Sequence, residues 1–531
     1  MIDRGLAIFM ENKRESVFKG IVSLLISQVF IKIVGLVYKL YLTNREGFGD
    51  SGNAIYSSGF QIYALLLTFS STGVPNAISY LVSERLAIGD NKGAHKIFKI
   101  AFVTFALIGI TGSLLLFLGA ETIANDWIQI PEAKYSLIAL SPSIFFVSIT
   151  SVIRGYFNGR QTFSVTAKSQ TLEQIFKTVF TVILVELVVI LGKENVKIMA
   201  AAANMATTVA TFLSFWYIFL YYKIKRREIG QEIAETVNYK PTRIRKTLKK
   251  IINVAIPISI SSLISSFGKN IDSFTIVRFL KNFLNEEDAK IQYGILSGKI
   301  DSLCSLPFAL NVAFVTTLVP NISKSMSKGN LKEVRKKAGQ YILISILIAM
   351  PITAIMFLYP NEIMSLLFPN AQNGAMYLKI SSISIIFMIL AQTINGILQG
   401  IGKVSIPAIA FGIGMIIKFI CNIILISNPK IGIYGAIIGN IMCNIIACMI
   451  SIVVLHKSIN LRINLKNTIV KPIIATLIMS TISLYLYKAL KCIKIGYLEI
   501  IITFLASFII YLLQILIFKI YHFEKIKKIL K

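Results

Sequence analysis

The chain has 531 residues, of which 55% are hydrophobic, and it carries a formal net charge of +30. Its mean hydropathy of +0.71 excludes a water-soluble globular protein and is typical of a multi-pass membrane protein. The basic excess does not indicate nucleic-acid binding, because the lysines and arginines lie between apolar segments rather than in one polar domain. The sequence has no phosphate-binding Walker motif and no long polar domain, so neither an ATPase nor another enzyme is predicted.

Long apolar stretches recur along the whole chain and predict membrane-spanning helices. Only a helix satisfies the backbone hydrogen bonds of a single segment in lipid, so an all-α membrane protein is expected. The first stretch is too long for a cleaved signal peptide and lacks a small-residue cleavage site. The fourteen predicted segments are 18–40, 57–79, 97–118, 134–156, 168–191, 198–222, 250–279, 291–323, 339–358, 375–400, 404–427, 431–456, 467–488 and 495–520.

The basic residues of the loops are unevenly distributed between the two sides of the membrane. Alternate loops that share a side with both termini contain about 37 Lys and Arg, and the opposite loops contain about 12. A compositional bias towards Ile, Lys and Asn raises the total, but it does not explain the asymmetry. The positive-inside rule therefore predicts that both termini are cytoplasmic.

Residues 153–177 and 394–418 resemble each other without gaps, at an offset of about 241 residues, and form an internal repeat. Segments beginning Val-Pro-Asn at 74 and 319 also match, and a polar stretch follows each one. Six predicted helices separate equivalent points, so both copies should have the same orientation, related by an axis along the membrane normal. The aligned identities are Ile153 with Ile394, Gly155 with Gly396, Gly159 with Gly400, Ser164 with Ser405, Ala167 with Ala408 and Lys177 with Lys418.

This repeat predicts the domain organisation. We expect an N-terminal six-helix lobe over residues 1–222, a cytoplasmic linker over 223–249 and a second six-helix lobe over 250–458. Residues 459–531 then form two extra helices and a cytoplasmic tail. Two like lobes facing a midplane cavity are typical of alternating-access transporters.

Six lysines remain inside predicted helices after the basic residues of the loops and segment ends are counted, and such a charge must face a cavity, pair with an acid or extend to the membrane surface. Lys32 and Lys269 occupy nearly equivalent places in the two lobes, and Lys39 and Lys299 add further positive charge. We predict that these four line a cavity for an anionic, phosphate-bearing substrate, because lysine binds phosphate as a mobile point charge. Three local alternatives stay open: Lys269 paired with Asp272, Lys299 paired with Asp301, and Lys39 extended to the membrane surface. Lys177 is predicted to be structural, paired with Glu173, and the sixth lysine is Lys418.

Helix-breaking residues inside or at the ends of predicted helices are expected hinges for a rocking motion, although bundle packing alone would also account for them. These residues are Gly73, Pro75, Pro257, Pro307 and Pro320, and Pro407 is predicted to interrupt the eleventh helix. The five cysteines and three histidines show no ligand spacing, so no metal site and no cofactor are predicted. Glu186 and Asp272 are intramembrane acids that could carry a proton or bind Na⁺.

The order of several short motifs resembles the multidrug/oligosaccharidyl-lipid/polysaccharide exporter superfamily. Within it, the chain resembles the polysaccharide-biosynthesis branch that includes stage V sporulation protein B and the lipid II flippases. The motifs are Phe-Ile-Lys-Ile-Val-Gly-Leu-Val-Tyr-Lys at 30–39, Ser-Thr-Gly-Val-Pro-Asn-Ala-Ile-Ser at 71–79, Gly-Lys at 298–299 with Leu-Pro at 306–307 and Val-Pro at 319–320, Gln-Gly-Ile-Gly-Lys at 399–403 and Gly-Ile-Tyr-Gly-Ala at 432–436.

The resemblance implies a fold of fourteen helices and the flipping of an undecaprenyl-pyrophosphate-linked glycan. Lys32 and Lys299 match two basic cavity positions of the lipid II flippases, with Lys in place of Arg, whereas the basic position of helix 2 is neutral here. The two extra helices would hold the lipid tail. The family's Na⁺ site, from helices 7, 11 and 12, is matched in part by Asp272, Asn422 and Asn440.

We therefore predict a flippase of the bacterial plasma membrane that acts as a monomer on a lipid-linked glycan and is coupled to Na⁺, a proton or the membrane potential. Its other expected partners are membrane lipids and cell-wall synthesis proteins. The alternatives are a cation-coupled multidrug antiporter of the same superfamily and a non-transporting scaffold of a sporulation or division complex. An antiporter for cationic drugs should have buried acids, whereas the predicted cavity is basic.

Overall fold

The computed structural model describes residues 17–68, 73–192, 195–234, 236, 239, 243–461, 464–493, 496–518 and 520. All regular secondary structure in these residues is helical. The helices are α1 Val17–Asn44, α2 Gly49–Thr68, α3 Val74–Ala87, α4 Asn91–Thr122, α5 Ala133–Gly159, α6 Phe163–Ile190, α7 Val196–Ala234, α8 Ile244–Leu280, α9 Glu286–Gly294, α10 Asp301–Ser327, α11 Leu331–Leu358, α12 Pro360–Leu367, α13 Ala375–Gly400, α14 Ile406–Cys421, α15 Tyr434–Ile459, α16 Lys471–Ile493 and α17 Leu498–Ile517. Within the described residues, π-helical segments that continue or precede these helices include Ile123–Ile128, Ile295–Ile300, Asn422–Ile426 and Lys466–Val470.

Nine helical spans of the described chain are long and apolar enough to cross a membrane, so the protein is a multi-pass membrane protein. The remaining predicted segments overlap helices as well, but the count of fourteen spans stays a prediction. The nine are Asn91–Ile128, Ala133–Gly159, Val196–Ala234, Leu331–Leu358, Ala375–Gly400, Ile406–Ile426, Tyr434–Ile459, Lys466–Ile493 and Leu498–Ile517.

Helix boundaries follow the sequence signals closely in some places and depart from them in others. The predicted segment 375–400 coincides with α13. The predicted segment 57–79 overlaps α2 and α3, and residues 69–72 between them lie outside the described residues. The prediction that Pro407 interrupts a helix was wrong: it lies in the first turn of α14, where a missing backbone N–H leaves no hydrogen bond unmade.

The described residues group into two compact units. Unit 1 comprises those within Met1–Tyr38 and Ser58–Asn270, and unit 2 comprises those within Lys39–Ser57 and Ile271–Lys531. Helices α1 and α8 each contribute one end to each unit. The predicted lobe boundaries remain a prediction.

A turn of the same construction precedes a long helix in each unit. Gly89 and Gly329 both have positive φ, +76° and +67°, a conformation that glycine adopts without strain. The next residue caps the following helix in each case: the Asp90 carboxylate accepts from the backbone N–H of Gly93 at 2.7 Å, and the Asn330 side chain accepts from Glu333 N at 3.0 Å. These turns occupy the polar stretches that the sequence repeat aligned.

Glycines aligned by the repeat also make equivalent helix contacts. In unit 1, α5 packs against α3 through Gly155 and Gly159, and in unit 2, α13 packs against α10 through Gly396 and Gly400. The lack of a side chain at each position lets the two helices approach closely. An added Cβ would lie 2.8 Å from the Pro75 carbonyl oxygen at 155, 2.8 Å from the Ser79 carbonyl oxygen at 159, 2.6 Å from Val315 Cγ1 at 396 and 2.8 Å from Ile322 Cβ at 400.

Each unit has its own apolar core. The core of unit 1 lies among α3, α4, α5 and α7, and it includes Ile78, Phe98 and Tyr156. Unit 2 has one core among α10, α11, α13 and α15, and a second where α16 and α17 pack on each other and on α11. Many large apolar side chains on the outer faces of α4, α16 and α17 are exposed, as lipid-facing positions require.

Candidate functional site

Two of the four predicted substrate lysines lie in unit 1. Lys32 is on α1 and Lys269 is on α8, and both side chains are exposed. The two ammonium groups are close enough for their like charges to interact. Because Lys32 lies within an apolar stretch of α1, its ammonium requires a polar surrounding or an anion.

The other two predicted substrate lysines lie in unit 2, and both make hydrogen bonds. The Lys39 ammonium donates to Ser302 Oγ at 2.7 Å. Lys299 is fully buried, and its ammonium donates to Asp50 Oδ2 at 2.9 Å and to the carbonyl oxygen of Ala371 at 2.8 Å. The same ammonium lies 2.8 Å from Asp50 Oδ1.

The acid that neutralises Lys299 is therefore Asp50 rather than Asp301. Asp50 falls between the predicted segments 18–40 and 57–79, but α2 begins at Gly49 and Asp50 occupies its first turn. A carboxylate is favoured there by the helix dipole. Two elements that are far apart in the chain thus form a buried ion pair, which local spacing could not indicate.

Two glycines bring α2 close enough for this pair to form. At Gly294 in α9, an added Cβ would lie 1.9 Å from the carbonyl oxygen of Asp50, and at Gly298 it would lie 2.7 Å from Asn53 Cβ. A spacing of four residues places both glycines on one helical face, a small-residue pattern that permits close helix packing in membranes. Lys299 itself lies in the π-helical segment Ile295–Ile300, and such segments are frequent at functional sites.

The three residues predicted for cation coupling converge in unit 2, around Lys418. The Lys418 ammonium donates to Asp272 Oδ2 at 2.6 Å and to Asn440 Oδ1 at 2.9 Å. Asn422 Nδ2 donates to Asp272 Oδ1 at 3.1 Å and to Thr275 Oγ1 at 2.8 Å. The sequence analysis named these three residues together, and it did not predict that a lysine would lie among them.

Glycines also explain how α14 and α15 approach around this cluster. A Cβ at Gly414 would lie 2.7 Å from the carbonyl oxygen of Cys443, and a Cβ at Gly439 would lie 2.9 Å from Asn422 Oδ1. Asn422 begins a π-helical segment, Asn422–Ile426. The close approach places Asn440 within reach of the Lys418 side chain.

Lys177, the repeat equivalent of Lys418, has different surroundings in unit 1. Its ammonium lies 3.9 Å from the ring centroid of Phe60 and 5.0 Å from that of Tyr38. These distances are typical of cation–π contacts. The predicted partner Glu173 accepts a hydrogen bond from Arg154 at 2.7 Å.

Arg154 is a buried residue that the sequence analysis did not select as a site residue. It lies within α5, and its guanidinium contacts Glu173 and, through Nη2, Ser169 Oγ at 2.8 Å and Ser214 Oγ at 3.0 Å. Its repeat equivalent in unit 2 is Asn395, which accepts from Ser451 Oγ at 2.9 Å. The charge occurs in one copy of the repeat only.

The predicted hinge residues lie inside or at the start of helices. Gly73 immediately precedes α3 and Pro75 occupies its first turn. Pro307 and Pro320 lie inside α10, and Pro257 falls within α8. Their role as hinges stays a prediction.

Comparison with known protein families places this fold and site in context. A sequence model of the family described as Polysaccharide biosynthesis protein matches residues 17–326, and the MatE family model matches residues 295–424. Stage V sporulation protein B of Bacillus subtilis (strain 168) is 23% identical over 425 residues, which is 80% of this chain and 80% of that protein. Lipid II flippase MurJ of the same organism is 25% identical over 430 residues, 77% of each chain.

Solved structures show the same fold. Lipid II flippase MurJ in an inward closed conformation has a TM-score of 0.72 at 16% identity, over 94% of this chain and 98% of that one. An inward-facing multidrug resistance MATE family transporter of the MOP superfamily has a TM-score of 0.69 at 15% identity, over 82% and 98%. The chain therefore has the fold of these two structures. It belongs to the Polysaccharide biosynthesis protein family, whose sequence model matches more than half of its length.

Proposed function

We propose that this protein flips an undecaprenyl-pyrophosphate-linked glycan across the bacterial plasma membrane by alternating access, with both termini in the cytoplasm. The observation that carries the proposal is the pair of exposed lysines in unit 1. Lys32 and Lys269 hold like charges near each other on two mostly apolar helices. Two such charges are stabilised together by an anion with more than one negative charge, and a diphosphate has that property.

Two further features support the lipid-linked substrate. The relative named as a lipid II flippase aligns over most of this chain. The helices α16 and α17 add a separate apolar core to unit 2, and their outer faces carry exposed Leu and Ile side chains. We propose that these faces accommodate the polyprenyl tail.

Lys299 enters this proposal in a different way from Lys32. It is fully buried and neutralised by Asp50 in this conformation. A role in substrate binding requires that the Asp50 carboxylate be exchanged for a phosphate oxygen. Lys39 donates to Ser302 Oγ, and a role in substrate binding requires that this hydroxyl be exchanged for a phosphate oxygen.

The test is flipping of fluorescent undecaprenyl-diphosphate-linked glycans in proteoliposomes. The variant Lys32→Ala should slow flipping about 10- to 150-fold, because it removes a charge-assisted hydrogen bond of about 1.5–3 kcal/mol. Lys32→Arg should retain most of the activity, since the charge is preserved. The matched control is Lys328→Ala, which removes an exposed lysine just after α10 and should leave the rate unchanged. A wild-type rate for Lys32→Ala would contradict the basic-cavity mechanism.

The MatE match over residues 295–424 favours a second candidate, a cation-coupled multidrug antiporter. Dye efflux from the same proteoliposomes distinguishes the two. The flippase proposal expects lipid flipping without transport of a cationic dye. Dye transport without lipid flipping supports the antiporter, and the absence of both activities from a folded protein supports a scaffold.

A further inference from the structure

The Asp272 cluster in unit 2 has the ligand set of a site for a monovalent cation. It contains a carboxylate, the Asn440 amide oxygen and the Thr275 hydroxyl, and Asp272, Thr275 and Asn422 are all buried. Asn422 Oδ1 is also buried and accepts no hydrogen bond from any described residue. Oxygen donors of this kind are the ligands that hard cations prefer.

The position of a cation in this cluster is taken by the ammonium of Lys418. It lies 2.6 Å from Asp272 Oδ2 and 2.9 Å from Asn440 Oδ1, and the whole side chain is 1% exposed. An ammonium is itself a monovalent cation, and it uses the oxygens that a free ion would need. The cluster of one carboxylate and one ammonium is already neutral. A second positive charge beside a buried ammonium would be repelled in a region of low dielectric constant.

The repeat-related lysine has different aromatic neighbours. Lys177 in unit 1 lies over the rings of Phe60 and Tyr38. The Lys418 contacts come from two other helices, α8 and α15, so the ammonium holds three helices together. A free ion bound between those helices would make the same connection.

We propose that Lys418 is a tethered cation that replaces a free Na⁺ in this cluster, so that the protein neither binds Na⁺ there nor depends on it. Removing the ammonium leaves a buried carboxylate surrounded by amide and hydroxyl oxygens. That arrangement should then bind Na⁺.

The first arm of the test uses the unaltered full-length protein in detergent at pH 8. Its melting temperature is measured in NaCl and in choline chloride at equal ionic strength. We expect the same value in both salts. A saturable, Na⁺-specific rise that Asp272→Asn abolishes would overturn the proposal, and this arm needs no substitution at Lys418.

The second arm uses Lys418→Ala, purified in NaCl. We expect Na⁺ to raise its melting temperature by roughly 5 °C at 100 times the dissociation constant. The double variant Lys418→Ala with Asp272→Asn should lose this response. The matched control is Lys177→Ala, the equivalent position in unit 1, which should show no response to Na⁺. A folded Lys418→Ala protein that ignores Na⁺ would show that these oxygens do not form a cation site. If Lys418→Ala does not fold, Lys418→Gln replaces it with the same expectation and the same contradicting result.

This inference concerns how transport is energised, and it can be separated from the substrate proposal. The melting measurements do not involve any lipid substrate. Replacing Na⁺ by choline in the flipping assay should also leave the wild-type rate unchanged. If the protein flips no lipid-linked glycan, both melting experiments can still give the expected results. If it does flip the glycan, the melting experiments can still contradict the role of Lys418.

Discussion

The ion pair between Lys299 and Asp50 gives a prediction that distinguishes structural from substrate-binding charge. Both side chains are almost fully buried, at 0% and 8% exposure, and the two carboxylate oxygens lie 2.8 and 2.9 Å from the ammonium. If Lys299 were unpaired, Lys299→Ala would not be expected to destabilise the protein. The observed pair indicates the opposite, because Lys299→Ala leaves a buried carboxylate without a counter-ion.

The expected size of the effect follows from these contacts. Breaking a buried pair by removing one partner costs about 3–5 kcal/mol. For a unit of this size, about 2 °C per kcal/mol converts that into a fall of roughly 6–10 °C in melting temperature. Asp50→Asn should cause a fall of similar size, because it leaves the ammonium of Lys299 buried without a charged partner.

The double variant Lys299→Met with Asp50→Asn should recover most of the loss, since neither charge is then left unpaired. Melting in detergent is measured for wild type, both single variants and the double variant. Glu121→Gln serves as the control, because Glu121 and Lys134 are both exposed in their ion pair, at 63% and 36%, and the loss of this pair should cost below about 1 kcal/mol. Additive losses in the double variant would show that the two residues do not act as a pair.

Three further predictions concern packing, the second buried charge network and the proposed hinges. Gly294→Ala should destabilise the protein by about 1–3 kcal/mol in the melting assay, because the new Cβ would overlap the Asp50 carbonyl oxygen. The control is Gly339→Ala, whose Cβ would have no neighbour within 4 Å, so it should be neutral or slightly stabilising. Arg154→Met should lower the free energy of unfolding by about 3 kcal/mol or more, because it leaves Glu173 without its partner. The double variant Arg154→Met with Glu173→Gln should lose less stability than Arg154→Met alone. A larger loss in the double variant would exclude a network between the two residues. If Pro307 and Pro320 are hinges, replacing either by Ala should slow flipping several-fold while leaving the melting temperature unchanged or raised. The control is Pro351→Ala, inside α11. Unchanged flipping rates would favour bundle packing as the role of these prolines.

The helices and the repeat could be predicted because their signals are local. Hydropathy located α13 at its observed ends, and the repeated polar stretches that include 89–90 and 329–330 coincide with turns and helix caps. Ion pairs are different, because they depend on which helices are neighbours. Nothing near Lys418 in the sequence indicates Asp272, and nothing near Lys299 indicates Asp50. The π-helical segments beside these sites had no recognisable sequence signal either.

The ion pair of Lys299 also suggests how substrate binding could be linked to helix movement within unit 2. Asp50 lies in the first turn of α2, and that turn is held against α9 by the backbone contact at Gly294 and by the Lys299 ammonium. A diphosphate oxygen that replaced the Asp50 carboxylate would preserve the charge balance of Lys299 and release Asp50. The first turn of α2 would then lose its ionic attachment while keeping only its packing contacts. In this scheme the lysine binds either the protein's own carboxylate or the substrate, so substrate binding and the release of α2 are one event.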